Sequence, residues 1–311
     1  MHLTIVRFLL IWLCALACLS SARAATVAMV LSERSAGYQD VARVIASELE
    51  RTGLSDNEVI QFTAAEWTNL DTAAGTSKLI VTLGAEALKQ VLGREAHTPV
   101  VAALLPRSGY ERIVRETSHR LPLNLTAVFL DQPLGRRIDL VRLILPDAKR
   151  VGVLWGPESI ALQAGMAQLL QSRGFTMISS MVANPGGLFN GLKSVLDEAD
   201  VLLALADPQV YSSSTIANIL LATYRARIPV VAFSPAYVKA GALIAIYATP
   251  NQIGLQAAGL ARMSLQGSAL PAPQHPNEFE ISVNDHVARS LGLNLDARML
   301  TDKLLSGVKR P

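Results

Sequence analysis

Short, solidly apolar runs alternate with longer amphipathic stretches along almost the whole chain. The runs are Thr26–Leu31, Leu79–Leu83, Val100–Leu104, Thr126–Leu130, Arg150–Leu154, Thr176–Met181, Val201–Ala206, Val230–Phe233 and Leu243–Ile246. Several lack the in–out alternation of a half-exposed strand, so they read as strands of a parallel sheet covered on both faces. Between them, helical spacing runs over Tyr38–Arg51, Ala85–Leu92, Leu134–Leu145, Ser159–Ser172, Gly187–Leu196, Ser214–Arg225 and Ile253–Leu265. Such alternation means right-handed crossovers and an open, doubly wound α/β architecture. Nine such strands exceed one usual sheet, and 311 residues exceed one ordinary domain, so two lobes are expected.

Asp131-Gln132-Pro133 marks a switch between lobes: a strand ends there, Asp131 is placed to cap the next helix, and Pro133 suits its first turn. The polar turn from Leu145 to Arg150 leads into a new buried strand. A Pro-rich stretch, residues 270–276, separates the last long helix from a final strand, Phe279–Val283. The chain is therefore expected to cross between lobes more than once. The boundaries are set at 25–130 plus about 248–273 for the N-terminal lobe, and 131–247 plus about 274–311 for the C-terminal lobe.

Residues 1–24 read as an export signal, with Arg7 in the charged region, Phe8 to Leu19 as the apolar region and Ala22-Arg23-Ala24 as the cleavage site. The apolar run is short for a bilayer span, which needs about 20 residues. Cleavage after Ala24 would leave 287 of the 311 residues and place the protein in the periplasm. Both cysteines, Cys14 and Cys18, lie in this segment. Lipid anchoring at Cys18 is the weaker alternative, because Leu16 stands one place too close for a good lipobox. A mature chain without thiols has neither a cysteine nucleophile nor cysteine metal ligands. Of the 28 basic residues it loses Arg7 and Arg23, leaving 26 against 25 acidic ones. That near-neutral, mixed surface gives no electrostatic case for nucleic acid.

Motifs of several enzyme classes are absent: no G-x-S-x-G, no G-x-x-x-x-G-K-[ST], no H-E-x-x-H and no G-x-G-x-x-G after a strand. His97, His119, His275 and His286 lack metal-ligand spacing and fall at expected turns or element ends, as surface residues do. No catalytic residue, metal or cofactor is expected.

Ligands of open parallel sheets bind beyond the carboxyl ends of the strands. There the sequence places Ser32, then Gly84-Ala85 at a helix start able to hold an anion, Arg107-Ser108, Ser159, Asp207, Ser234 and Tyr237. Each serine is also an ordinary helix cap. Together they suit a small polar ligand better than catalysis.

The ordered set Leu145-Pro146-Asp147-Ala148-Lys149-Arg150-Val151-Gly152-Val153-Leu154, Ala199-Asp200-Val201 with Asp207, Ile228-Pro229-Val230-Val231, Ala240-Gly241-Ala242-Leu243, Gly254-Leu255-Gln256-Ala257-Ala258, and Val283-Asn284 with Ser290-Leu291-Gly292-Leu293 resembles the substrate-binding proteins of ABC importers. The likeness is to the subfamily with tryptophan- and tyrosine-binding members, and it covers most of residues 79–295. It implies a type I periplasmic-binding-protein fold, a hinged cleft, an inner-membrane ABC permease as partner and a monomer. It further implies that Gly84, Ala85, Ser234 and Ser32 serve a ligand carboxylate and that Asp207 takes an ammonium. Tyr247 is bulky where the family has a small residue, which alters the cleft floor, and Arg107 stands where relatives often carry an acid. A periplasmic sensor on the same fold, without a transport role, is the alternative.

Overall fold

The computed structural model describes residues 26–55, 58–69, 77–94, 98–117, 121–122 and 124–308. The segment read as an export signal, with Cys14 and Cys18, and His97 and His119, lie outside them. Among the described residues no helix is long and apolar enough to cross a membrane.

Two sheets form. The first contains β1 (Val27–Leu31), β2 (Val59–Thr63), β3 (Leu79–Leu83), β4 (Val100–Leu105) and β5 (Leu125–Phe129), ordered β2-β1-β3-β4-β5 and parallel throughout. The second contains β6 (Arg150–Trp155), β7 (Thr176–Met181), β8 (Val201–Leu203), β9 (Val230–Ala232), β10 (Ile244–Tyr247) and β11 (Glu280–Val283), ordered β11-β10-β9-β8-β6-β7. Only β11, beside β10, runs antiparallel.

The solid apolar runs have a direct cause. Val27, Met29 and Leu31 enter one core with α1 (Ala36–Glu50), while Ala28 and Val30 enter another with α2 (Ala64–Thr68), α3 (Ala85–Leu92) and α4 (Arg107–Glu116). The second sheet is covered likewise, by α5 (Leu134–Ile144) and α6 (Gln163–Ser172) on one face and α7 (Leu188–Leu196), α8 (Ile216–Ala226) and α9 (Pro235–Ala240) on the other. When both faces are buried few positions in the strand face water, so most are apolar.

After β10 the chain returns to the first sheet. Helix α10 (Pro250–Leu265) places Ile253, Ala257 and Ala261 in the core of α1 and β1. Gly254 is what lets the two helices touch: a Cβ there would stand 2.7 Å from Val44 Cγ1. The chain then bridges β5 at Gln274, crosses back, and finishes with β11, α11 (Asp285–Ser290) and α12 (Ala297–Val308).

Several elements depart from expectation. The strand β2 was not anticipated; Ile60 and Gln61 are exposed at this sheet edge, so its apolar signal is weak. Helix α4 was read as loop, since its first residues are Arg107-Ser108-Gly109 and its mean hydropathy is low. Asp131 does not cap the helix that follows it. Its Oδ1 accepts the Arg107 amide at 2.7 Å, capping α4 from 24 residues away, while Pro133 precedes α5 without a side-chain cap.

Overpacking a tight contact costs about 1–3 kcal/mol. Gly254→Val is therefore expected to lower stability by about that amount in urea denaturation, through separation of α1 and α10; an unchanged midpoint would show that the helices do not bear on each other.

Candidate functional site

The carboxyl ends of the parallel strands collect two groups of expected site residues. On the first sheet, Ser32 at the end of β1 accepts the Ala87 amide at 3.0 Å through Oγ. The start of α3 follows Gly84, which has no side chain to cap it, so Ser32 supplies the missing oxygen. Gly84 adopts φ +94°, and a Cβ there would fall 2.4 Å from Ser32 Oγ and 2.7 Å from Tyr38 Oη. Glycine is needed on both counts. Burial raises the Tyr38 phenol above its ordinary value, opposed by its hydrogen bond with Ser32. Ser32, Gly84, Ala85 and Tyr38 thus form one corner, and Ala85 and Glu86 carry amides that a helix start leaves without an intrahelical acceptor.

The second corner lies at the end of β9. Ser234 caps α9, accepting the Ala236 amide at 3.3 Å. Tyr237 packs edge-on against Phe233 at 5.1 Å and donates to the Tyr211 carbonyl at 3.2 Å. Tyr247 sits apart, at the end of β10, with its hydroxyl 2.9 Å from Ser282 Oγ on the neighbouring strand. That contact ties Tyr247 to the rim of the sheet where the chain leaves for α10.

Asp207 lies beneath the loop after β6, engaged within the protein. It is 1% exposed, and its Oδ2 accepts the amides of Glu158 at 3.1 Å and Ser159 at 2.9 Å and the Ser159 hydroxyl at 2.9 Å. Oδ1 accepts the Gln209 amide at 3.1 Å. The carboxylate is wedged beneath Gly156, whose hypothetical Cβ would meet it at 2.3–2.4 Å. Asp207 is therefore a positioning residue that fixes the loop after β6 and with it Ser159. Ser159 in turn is not a helix cap: its Oγ accepts the Gly156 amide at 3.0 Å.

Between the sheets a small cavity of about 20 Å³ is lined from one side by Pro106 and Ser108 and from the other by Arg137, Ser159 and Leu205, with Asp131 at the switch. Just before Pro106, a bulge interrupts β4 and Leu104 takes φ +58°. Strain of this kind in a non-glycine residue collects at binding edges. Burial raises the Asp131 carboxyl above the usual range, against the Arg107 amide and the charges of His275 and Arg137 that lower it. His275, expected at the surface, is half-buried; its Nδ1 lies 2.8 Å from the Asp131 carbonyl and its ring packs on Phe129. One ion pair, Arg112 to Glu158 at 3.4 Å, joins α4 to the loop after β6 and so spans the two halves.

Sequence reasoning passed over Arg137. It lies three residues after Leu134 and four before Val141, on the apolar stripe of α5, and that position was the available signal. Burial of an arginine on such a stripe is what the structure adds.

A model of the ABC transporter substrate binding protein family matches residues 63–303. The chain belongs to that family. A search of curated proteins finds no match. Among solved structures, a Streptococcus domain in complex with L-Trp shares 15% identity, covers 88% of this chain and 96% of its own, and superposes with a TM-score of 0.66. The ligand-free, open form of a substrate binding protein with adhesive properties from Clostridium difficile shares 16%, with 87% and 96% covered and a TM-score of 0.68. A periplasmic ribose ABC transporter protein from Conexibacter woesei shares 12%, with 88% and 96% covered and a TM-score of 0.58. These likenesses show the type I periplasmic-binding-protein fold: two α/β lobes, each a mostly parallel, doubly wound sheet.

Hydrogen bonds to a charged group are worth about 1.5–3 kcal/mol each. Asp207→Ala is expected to destabilise this binding protein by about 3 kcal/mol or more, with a smaller loss for Asp207→Asn, which keeps one acceptor. Urea denaturation of both variants checks the order; a stable Asp207→Ala protein that has lost all ligand binding would return Asp207 to the ligand.

Proposed function

We propose that this protein captures a small polar ligand between its lobes and hands it to an inner-membrane ABC permease. The observation that carries the proposal is the cavity between the sheets, walled by a helix start from one half and by buried polar side chains from the other. A ligand there touches both halves at once, so binding favours whichever arrangement brings them together. Ser32, Gly84 and Ala85 on one side and Ser234, Tyr237 and Tyr247 on the other are proposed as further contacts at the cleft edge, with Asp207 acting through Ser159. The proposed lobe division is the one read from the sequence, with α10 assigned to the first lobe and α11 and α12 to the second. The protein works as an exported monomer, its leader removed after Ala24, and carries out no catalysis.

Support for an amino acid or related metabolite comes from the relative solved with L-Trp; the ribose-transporter relative keeps sugars in the test. A thermal-shift screen against amino acids, organic acids, nucleosides and sugars is the direct experiment. A true ligand raises the melting midpoint with concentration, by the equivalent of about 2.7 kcal/mol at a hundredfold excess over its Kd. Absence of any shift across the screen would count against ligand capture.

Arg112 and Glu158 are both partly exposed, and such pairs contribute about 0.2–1 kcal/mol. Arg112→Ala is accordingly expected to weaken the bound state by no more than about fivefold in Kd. A hundredfold loss by calorimetry would mean that Arg112 touches the ligand.

A further inference from the structure

The cavity between the lobes contains a cation with no contact counter-ion. Arg137 is 2% exposed, and its Nη2 donates to the carbonyl of Ala204, just past the end of β8. Its Nε has no partner, and among the described residues the guanidinium makes no ion pair within 4.0 Å. Burial brings the guanidinium down to about 10, with the charge of Asp131 and the Tyr211 phenol holding it up, so it remains charged at neutral pH. A charge withdrawn from water is costly unless something pairs with it.

Its place on the helix adds to the cost. Arg136 and Arg137 occupy the first turn of α5, which holds no acid. A positive charge there opposes the helix dipole, which favours anions at that end. Beside it, the buried Tyr211 hydroxyl also lacks a partner. Across the cavity, Ser108 belongs to the first turn of the ten-residue helix α4, where amides have no intrahelical acceptor. A buried arginine with an unpaired donor therefore lines the space from one lobe, and a helix start lines it from the other.

We infer that the ligand of this cleft carries a carboxylate, and that Arg137, with the Tyr211 hydroxyl beside it, is the residue that binds it. A planar guanidinium pairs with a carboxylate through two parallel hydrogen bonds, which would supply the counter-ion and the partner that Nε lacks. Asp131 on the same cavity disfavours a second negative group and suits an amine. The class is thus a small monoanionic or zwitterionic metabolite. The assignment rests on the ligand-capture role proposed above.

Calorimetry on the purified chain against amino acids, monocarboxylates, inorganic phosphate and neutral sugars tests it, each acid that binds being compared with its amide. At least one acid is expected to bind, with its amide at least a hundredfold weaker. Arg137→Met is expected to lose at least a hundredfold in affinity for that acid while its ligand-free melting midpoint does not fall, since a buried unpaired charge has been removed. Arg137→Lys, which keeps the charge without the fork, is expected to fall between. Should Arg137→Met not fold, Tyr211→Phe removes only an unpartnered hydroxyl; it should melt like the parent and bind the acid about tenfold more weakly. Binding of sugars alone, of phosphate alone, or of acid and amide equally would overturn the assignment and leave ligand capture standing. So would Arg137→Met binding within threefold of the parent. Failure of every compound to bind the parent would count against ligand capture itself, and the assignment would fall with it.

Discussion

The cleft edge depends on oxygen atoms that satisfy amides belonging to other elements. Parallel strands all deliver the chain at their carboxyl ends, so the starts of the following helices gather there with amides that lack acceptors. Ser32 caps α3 from the end of β1, and Asp131 caps α4 from beyond β5. Asp207 holds the loop after β6 through three hydrogen bonds and its own turn through a fourth. Each contact joins neighbouring strand ends, so the edge of each sheet is one connected polar rim. Rigid support of this kind keeps donors aimed at a ligand without rearrangement when it arrives.

That economy explains why so few of the polar residues at the rim are free to meet a ligand. Asp207 is engaged within the protein and Ser32 already accepts one amide, whereas Arg137 Nε and the Tyr211 hydroxyl are buried without partners. In a folded core nearly every buried polar atom is paired, so an unpaired guanidinium nitrogen on the wall of a cavity calls for a functional explanation. The two halves differ in what they bring to that cavity. The first contributes backbone at the start of α4, and the second contributes a charge on α5. A ligand with an acid group would complete both at once.

Much of the architecture was legible along the chain, for reasons visible in individual elements. Strands with both faces covered are mostly apolar, so β3, Leu-Ile-Val-Thr-Leu, is unmistakable; its one polar residue, Thr82, is itself buried. Helix α3 begins and ends where its apolar spacing does. The edge strand β2 was hidden because half of it faces solvent, and α4 because its early residues are poor helix formers, held by a cap from Asp131 that no local pattern announces. Ser159 and Asp207 were visible as polar residues at strand ends. Their pairing with each other was not.

The sequence by itself determined the α/β alternation, the crossings between lobes and the polar character of the strand ends, because these follow from burial periodicity and turn chemistry read within a few residues. Tertiary structure alone decided which oxygen meets which amide, since the pairs span tens of residues: 24 for Asp131 with Arg107 and 48 for Asp207 with Ser159. It also decided that Arg137 is sealed from water. On one helix an arginine next to the apolar stripe can reach solvent or not, and only the packing of β8 and the opposite lobe around α5 removes that choice.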